Sequence, residues 1–297
     1  MNLCCKLGLG TVQWGMQYGI ANRFGRPEAS EVAQILLSAS RAGISLLDTA
    51  HVYGDAESVI GQNADKSHEW QIVTKTLPIQ SKVFGDVEAT AIYEAFDKSL
   101  RRLRRPSVYG LMVHSAENLL LPGADRLWGV LQEIKSKGLA SKIGVSVYTP
   151  DELSRILDAY SVDLVQLPLN LYDQRFLRTG LLDRLKLSGI EVHARSAFLQ
   201  GLLLMPMEQL PEKFNEIRDH HMHFQRQCDA SGISPLEASL RFCLNQSTID
   251  RVIVGCETLS QFTENLEAAR NTEACLSAPE LFALEDDFAI DPRRWSS

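Results

Sequence analysis

The sequence predicts an α/β fold, a single (β/α)8 TIM barrel over residues 1–297. Short apolar segments alternate eight times with longer amphipathic segments, which is the pattern of repeated β/α units. No shift in composition and no Ser-, Gly- or Pro-rich linker divides the chain, and its length is usual for one barrel. A closed parallel barrel places the carboxyl ends of its strands, and therefore the site, at one rim.

Eight apolar runs fit buried parallel strands. Three of them end in a polar residue, Asp48, Lys75 or His114, as strands do when their last side chain points into a site. The strands are predicted at residues 6–12, 45–48, 71–75, 109–114, 142–147, 164–170, 191–196 and 251–255.

The segments between these strands have helical periodicity. Ser30 is the expected N-cap of the first helix, and Thr149 followed by Pro150 is expected to open a later one. Apolar residues of the first helix recur at i, i+3, i+4 and i+7, namely Val32, Ile35, Leu36 and Ala39. Helices are predicted at residues 30–42, 56–62, 87–103 and 126–137, from residue 150 onward, and twice between residues 201 and 246.

A doubly wound open sheet is the alternative fold. The sequence Gly8-x-Gly10 is not followed by a glycine three residues later, and no helix is predicted directly after it. The dinucleotide-binding fingerprint is therefore incomplete, which favours the barrel.

Composition excludes several classes of partner. A net charge of −7 and a pI of about 5.6 argue against nucleic acid and against an anionic membrane surface. The six cysteines form no Cys-x-x-Cys pair, and no signal-like segment or run of 18 apolar residues occurs. We expect a cytoplasmic enzyme with reduced cysteines, a monomer or weak homo-oligomer, that binds a small molecule.

Four polar residues at or just after the predicted strand ends suit proton transfer. A tyrosine keeps its proton at neutral pH because its ordinary pKa is about 10. A lysine ammonium beside the phenol lowers that pKa, and an aspartate beside the lysine keeps it charged. A histidine at the same rim can direct a carbonyl oxygen toward the phenol. The predicted catalytic residues, for reduction of a carbonyl by hydride, are Asp48, Tyr53, Lys75 and His114.

The order of these residues resembles the aldo-keto reductase family. Its signature is Asp-Thr-Ala-x-x-Tyr-Gly, present here as residues 48–54, followed by one strand ending in Lys and another ending in His. The resemblance extends from about residue 7 to residue 265. It implies an NAD(P)H-dependent oxidoreductase that reduces a small aldehyde or ketone, including sugar-like ones, to an alcohol.

The resemblance also implies which residues hold the cofactor. Ser146 and Gln166 match positions that hydrogen-bond the nicotinamide carboxamide, whereas Val147 stands where the family often has Asn. Residues 195–203 resemble the pyrophosphate loop, and residues 255–265 resemble the adenosine-binding stretch. The implied cofactor-binding residues are Gly10, Thr11, Ser146, Gln166, Arg195, Ser196, Leu199, Gly201, Gly255, Thr258, Gln261, Glu264 and Asn265.

Two departures from the family pattern bear on the cofactor. Arg195 stands where the family usually has the ring that stacks on nicotinamide, and a planar guanidinium can stack too. The family favours NADPH, which is the predicted cofactor. Glu257 is unfavourable beside a 2′-phosphate, and this stretch has Gly255 and Gln261 where NADPH-preferring members carry Lys or Arg, so NADH stays open.

The predicted substrate-binding residues are Trp14, Tyr18 and His51, on the loops after the first two strands. Trp14 and Tyr18 can stack on a sugar-like ring, or they can cap the barrel mouth. Long tails shape the substrate pocket in the family that this sequence resembles, and the tail here, residues 291–297, is short. The resemblance therefore implies an open pocket suited to a large or polar substrate.

Two further function classes remain open. One is a cofactor-binding barrel with a regulatory role, and the other is a metal-dependent lyase or hydrolase that uses His114, His193 and Asp48. The cluster of histidines at residues 220–223 is predicted to be a solvated helix face rather than a metal site, because no carboxylate or Cys set completes a coordination shell.

Overall fold

Eight parallel strands close into a ring in the computed structural model, which describes residues 3–272 and 275–295. Each strand pairs with the next one along the chain, and the first pairs with the eighth. This confirms the predicted (β/α)8 barrel over the open sheet. The strands are β1 (Leu7–Gly10), β2 (Leu46–Asp48), β3 (Gln71–Lys75), β4 (Val108–Val113), β5 (Ala140–Ser146), β6 (Leu164–Pro168), β7 (Glu191–Arg195) and β8 (Arg251–Gly255).

Helices connect the strands on the outside of the ring, and short 3₁₀ helices fill several loops. The two helices expected between residues 201 and 246 are present, preceded by three 3₁₀ segments. The α-helices are α1 (Val12–Gly15), α2 (Ala29–Arg41), α3 (Ala56–Asn63), α4 (Asp86–Leu103), α5 (Ala124–Ser136), α6 (Pro150–Ala159), α7 (Leu181–Leu187), α8 (Arg218–Ser231), α9 (Pro235–Leu244), α10 (Leu259–Arg270) and α11 (Asp287–Ile290).

Apolar side chains fill both the inside of the barrel and the layer between strands and helices. The larger cluster joins the strands to the helices around them. Burying a side chain of this kind contributes about 1.5–3 kcal/mol. Because the interior is filled, a site has room only at the rims. The interior cluster is Leu46, Val73, Met112, Leu164 and Ile253.

The predicted start of α6 is confirmed and that of α2 is wrong. Thr149 accepts a hydrogen bond from the Glu152 backbone N–H, and Pro150 is the first helical residue. Helix α2 already begins at Ala29, so Ser30 lies inside its first turn and does not cap it.

The first strand is shorter than predicted, and a helix does follow it. Thr11 turns back toward β2, where its N–H and its hydroxyl both donate to the Asp48 carbonyl oxygen, at 3.0 and 2.9 Å. Helix α1 then begins at Val12. The turn at Thr11 fixes the first loop beside the end of β2.

The predicted solvated face at residues 220–223 is wrong for His221, which is fully buried. Its Nε2 donates to the Met205 carbonyl oxygen at 2.7 Å, and its Nδ1 accepts from the Tyr172 hydroxyl at 2.8 Å. A polar ring can be buried when both nitrogens are satisfied in this way. His221 therefore ties α8 to the segments after β6 and β7.

Five cysteines have free thiols, and the side chain of Cys4 lies outside the described ones. The sequence pattern predicts reduced core residues, which is confirmed for the buried Cys228, Cys243 and Cys256 and wrong for Cys5 and Cys275, which are exposed. The free cysteines are Cys5, Cys228, Cys243, Cys256 and Cys275. Over residues 3–272 and 275–295, none of the helices combines the length and apolar character needed to cross a bilayer.

Candidate active site

Asp48 and Lys75 meet at the carboxyl ends of β2 and β3. The Lys75 Nζ donates to Asp48 Oδ1 at 2.7 Å and to the Thr49 carbonyl oxygen at 2.9 Å. The other Asp48 oxygen accepts from Gln166 Nε2 at 2.7 Å. Asp48 is 5% exposed and Lys75 is 2% exposed. Because each charge has its partner, the pair avoids the large penalty of an unpaired buried ion.

Tyr53 and His114 lie beside this ion pair and have polar atoms without hydrogen-bond partners. The Lys75 Nζ lies 5.1 Å from the centroid of the Tyr53 ring. The ring of His114 meets that of Tyr53 edge-on, with 5.8 Å between centroids. Among the described residues, the Tyr53 hydroxyl and both ring nitrogens of His114 have no hydrogen-bond partner. The Tyr53 hydroxyl and His114 Nε2 are therefore available to bind a ligand in the cleft, whereas His114 Nδ1 is buried.

Two glycines let the first loop press against the turn that carries Tyr53. A Cβ on Gly15 would lie 1.8 Å from the Tyr53 carbonyl oxygen, and one on Gly54 would lie 2.4 Å from the Gly15 carbonyl oxygen. Gly54 also has a φ of +54°, which favours glycine. This close backbone contact fixes the position of the turn that carries Tyr53.

Burial dominates the electrostatics of the site. It raises the pKa of Tyr53 well above the ordinary value, and the Asp48 carboxylate raises it further. Burial and the charge of Lys75 lower the pKa of His114 to about 3. The sequence predicted that Lys75 would lower the Tyr53 pKa. The difference arises because burial favours the neutral phenol and the Asp48 carboxylate disfavours a phenolate beside it. At neutral pH both Tyr53 and His114 are therefore uncharged.

A cleft of about 390 Å³ opens at this rim, a volume typical of small-molecule sites. Its walls come from strand ends and from the loops after β1 and β7. The predicted site residues that line it are Gly10, Thr11, Tyr18, Asp48, Tyr53, His114, Ser146, Gln166, Arg195, Ser196, Gly201, Gly255, Gln261, Glu264 and Asn265. Lys75 lies behind this surface, paired with Asp48.

Near Tyr53 the cleft has two buried polar groups without partners. Ser146 and Gln166 are 3% and 1% exposed. Across residues 3–272 and 275–295, neither the Ser146 hydroxyl nor Gln166 Oε1 has a hydrogen-bond partner. A hydroxyl donor beside an amide oxygen acceptor matches the two hydrogen-bonding sides of a carboxamide.

Arg195 forms the adjoining wall. Its Nη2 donates to the Val147 carbonyl oxygen at 3.0 Å, and its Nη1 donates to Ser196 Oγ at 3.3 Å. Its Cζ lies 4.0 Å from the centroid of the Tyr148 ring, and Arg293 Cζ lies 3.7 Å from the same centroid. These contacts hold the Arg195 guanidinium in one orientation.

The loop after β7 has a strained backbone. Ser196, Leu199 and Gln200 have φ values of 63°, 49° and 55°, in the left-handed region that costs an L-residue about 1–2 kcal/mol. At Gly201 a Cβ would lie 2.3 Å from the Cβ of Ala21. The loop therefore packs tightly against the loop after β1, and both border the cleft.

At the far end of the cleft, side chains stabilise the start of α10. Thr258 Oγ1 accepts from the Gln261 backbone N–H at 3.2 Å, and Gln261 Oε1 accepts from the Glu257 backbone N–H at 2.8 Å. Thr258 is thus the N-cap of α10. It does not line the cleft, whereas Gln261 does.

The same end is acidic and has a free amide. Glu257 and Glu264 both line it, and Glu264 Oε1 accepts from the Ser260 hydroxyl at 3.0 Å. Asn265 is 3% exposed, and its side chain has no hydrogen-bond partner within the described ranges. Among the cleft residues that the structure describes, Arg195 is the only Lys or Arg, and it lies near Tyr53.

Besides Lys75 and Thr258, three further predicted residues are not in the cleft surface. Trp14 is fully buried, and its Nε1 donates to the Cys256 carbonyl oxygen at 3.1 Å, so the prediction that it contacts substrate is wrong. His51 points elsewhere too, because its Nδ1 lies 3.2 Å from Ser99 Oγ on α4. Leu199 is fully buried, so its side chain does not reach the cleft. Of the predicted substrate residues, Tyr18 alone lines the cleft.

The residues of the metal-dependent alternative are not brought together. His193 Nε2 bonds to Glu191 Oε1 at 2.8 Å, at the start of β7, while His114 and Asp48 lie at the other rim. In the described part of the chain, no group of three or more His, Cys, Asp or Glu is placed to hold a metal ion.

Tyr148 and Arg293 were missed by the sequence reasoning. Tyr148 lines the cleft and contacts Arg195. Its position two residues after Ser146, directly before the cap of α6, is a signal that could have placed it at the rim. No local sequence pattern places Arg293 near the site, because it contacts Tyr148 although the two are far apart in the sequence.

Comparison with known proteins agrees with this geometry. The profile of the Aldo/keto reductase family matches residues 6–275. The chain is 27% identical to the NADH-specific methylglyoxal reductase of Escherichia coli over 89% of both chains. It is 26% identical to the L-galactose dehydrogenase of Arabidopsis thaliana, over 84% of this chain and 82% of that one.

A solved structure shows the same fold. The aldo-keto reductase AKR11C1 from Bacillus halodurans matches with a TM-score of 0.75 at 20% identity, over 94% of this chain and 92% of that one. The family profile covers most of the sequence and the barrel has the same architecture, so the chain belongs to the aldo/keto reductase family.

Proposed function

We propose that the protein is an NAD(P)H-dependent reductase of aldehydes or ketones in which Tyr53 supplies the proton. The observation that supports this most directly is the free Tyr53 hydroxyl beside the buried Asp48–Lys75 pair, at the mouth of a cleft. A reduced nicotinamide supplies hydride when bound, and Ser146 and Gln166 are the residues that would hold its carboxamide.

In this proposal each residue has a separate task. Tyr53 donates its hydrogen bond to the carbonyl oxygen and gives up its proton as negative charge develops there. Lys75 stabilises the resulting phenolate, and Asp48 holds Lys75 in position. His114 is neutral, so an imidazole N–H can donate to the same oxygen and orient the carbonyl.

We propose that NADH serves at least as well as NADPH. A 2′-phosphate calls for a cationic partner, and the end of the cleft that carries Asn265 offers Glu257 and Glu264 instead. We therefore favour NADH over the NADPH that the sequence predicted. The similarity to a protein named as an NADH-specific reductase supports the same proposal.

We propose a small polar carbonyl compound, including open-chain sugars, as the substrate class. Tyr18, Tyr148 and Arg195 give the cleft polar and aromatic walls. The names of the two similar proteins, a methylglyoxal reductase and an L-galactose dehydrogenase, are consistent with such substrates. A soluble monomer or weak homo-oligomer acting in the cytoplasm fits this proposal.

The decisive experiment replaces Tyr53 with Phe. Turnover of generic aldehydes with NADH or NADPH is expected to fall by about 10²–10⁴-fold, because the proton donor is lost. The Kd for either reduced cofactor, followed by nicotinamide fluorescence, is expected to stay within about threefold. Tyr93→Phe is the matched control, because Tyr93 lies on α4 and is hydrogen-bonded to Lys137.

Two outcomes would overturn the proposal. A Tyr53→Phe variant with near-normal kcat would show that another group donates the proton. Cofactor binding without turnover of any aldehyde, ketone or sugar tested would point to the regulatory role instead.

A further inference from the structure

We propose that Arg195 makes the cleft select the oxidation state of the cofactor, binding the neutral reduced nicotinamide in preference to the cationic oxidised one. The inference rests on the proposed function, because it concerns the nicotinamide that this function requires.

The position of the nicotinamide follows from the reaction. Under the proposed function, a bound nicotinamide would deliver hydride to a carbonyl held by the Tyr53 hydroxyl, which would bring its ring to the Tyr53 end of the cleft. The buried groups that suit its carboxamide, Ser146 and Gln166, lie on the neighbouring strand ends β5 and β6. Arg195 ends β7, the next strand, and forms the adjoining wall.

The contacts of Arg195 hold its guanidinium in one orientation at the cleft wall. Its Nη2 and Nη1 already donate to the Val147 carbonyl oxygen and to Ser196 Oγ, which fixes the plane of the guanidinium. Tyr148 covers one side at 4.0 Å. Arg195 lines the cleft, and a guanidinium whose orientation is fixed in this way can stack on another flat ring.

Arg195 also gives this end of the cleft its net charge. Asp48 and Lys75 cancel each other at 2.7 Å, while Tyr53 and His114 are neutral at pH 7. Within the described residues, no carboxylate forms an ion pair with Arg195. One positive charge without an ion-pair partner among the described residues therefore lines this end of the cleft, where it would repel a cationic nicotinamide more than a neutral one.

The test measures four dissociation constants for each variant. Fluorescence titration gives the Kd of NADH and NADPH, and displacement of the bound reduced form gives the Kd of NAD⁺ and NADP⁺. In the wild type the oxidised forms are expected to bind more weakly. Arg195→Gln is expected to lower the ratio of oxidised to reduced Kd by at least about tenfold, which is about 1.4 kcal/mol.

Two further substitutions separate charge from shape. Arg195→Lys keeps the charge and loses the plane, so the ratio is expected to stay within about threefold of wild type. Arg195→Tyr keeps a flat surface and loses the charge, so it is expected to lower the ratio as Arg195→Gln does. If circular dichroism shows that Arg195→Gln does not fold, the ratios of Arg195→Lys and Arg195→Tyr are compared instead.

Arg293→Gln is the matched control. It removes the same charge from the other guanidinium that contacts Tyr148, and that group is paired with Asp291 at 2.7 Å. The ratio is expected to change by less than about twofold, because Arg293 is already neutralised by its partner.

An unchanged ratio in both Arg195→Gln and Arg195→Tyr would overturn the inference while leaving the proposed reductase intact. If those variants instead raised the KM of carboxylate-bearing aldehydes alone, Arg195 would be a substrate-anion site and the inference would be wrong. If the wild type bound neither NADH nor NADPH, the proposed function would fail first, and this inference with it.

Discussion

Both ends of the barrel contain a tyrosine, a histidine, a lysine and a carboxylate. At the carboxyl end they are Tyr53, His114, Lys75 and Asp48, with Lys75 Nζ 5.1 Å from the tyrosine centroid. At the amino end Lys142 Nζ lies 5.2 Å from the centroid of the corresponding ring. The residues there are Tyr109, His193, Lys142 and Glu191.

The two sets differ in whether the tyrosine hydroxyl has a hydrogen-bond partner. At the amino end, Glu191 accepts from the Tyr109 hydroxyl at 2.6 Å, from His193 at 2.8 Å and from Lys142. At the carboxyl end, the Tyr53 hydroxyl has no such partner among residues 3–272 and 275–295. The comparison teaches that the same residue types make a structural network where they satisfy one another, and a reactive site where a donor is left over.

Lys75→Met gives the largest effect expected at the carboxyl end. Turnover is expected to fall by about 10²–10⁴-fold, because the phenolate of Tyr53 loses its stabilising cation. Stability is expected to fall by about 3–5 kcal/mol, because Asp48 is left buried without its ion partner. Steady-state kinetics and urea unfolding measure the two effects.

A double variant separates the catalytic loss from the loss of stability. Adding Asp48→Asn to Lys75→Met removes the unpaired charge, so much of the stability is expected to return while turnover stays low. Recovery of turnover together with stability would mean that Lys75 matters only for folding.

Glu191→Gln is expected to produce the opposite pattern at the amino end. Stability at pH 7 is expected to fall by about 1–3 kcal/mol, because Lys142 loses its anionic partner and the network around Glu191 exchanges a carboxylate acceptor for a weaker amide one. The change in kcat is expected to be less than twofold, since the site is at the other rim. A large loss of turnover in a folded variant would contradict the division between the two ends.

The pH dependence of this stability loss has a defined sign. Burial alone would raise the pKa of Glu191, but its interactions with His193 and its hydrogen bonds from Lys142 and Tyr109 outweigh burial and hold the pKa well below the ordinary 4.5. A depressed native pKa stabilises the fold above pH 4.5 and loses that effect as the pH falls. The stability gap between wild type and Glu191→Gln is therefore expected to narrow below pH 4.5, as urea unfolding across this range would show.

The smallest effect concerns His114, whose pKa is lowered to about 3 by burial and by Lys75. It is expected to stay neutral at every pH above about 4, so kcat/KM should show no inflection near the ordinary histidine value of 6.5. A pH–rate profile from pH 5 to pH 8 checks this, and His114→Asn identifies the source of any inflection that appears.

Strand-borne features were predictable because they depend on local pattern. The apolar runs ending in Asp48, Lys75 and His114 follow from the alternation of strands and helices, and parallel topology places their carboxyl ends at one rim. The Thr149 cap was equally readable, because the capping box is a contact between near neighbours in the chain.

Features that depend on distant contacts were not predictable. Trp14 is a residue type that often lines pockets. Here its indole N–H donates to the carbonyl oxygen of Cys256, which is remote in sequence, and the side chain lies inside the core. His221 looks solvated in its polar helix until Met205 and Tyr172 supply partners for both nitrogens. Such contacts form only once the barrel closes, so no local pattern reports them.

The buried Asp48–Lys75 pair also has a consequence for assembly of the fold. Successive side chains of a strand point to opposite faces, so sliding β3 by one residue along β2 would turn Lys75 away and leave Asp48 isolated among apolar neighbours. Isolating one such charge costs about 3–5 kcal/mol. The groups that would perform the chemistry thus also penalise a barrel whose strands are misaligned.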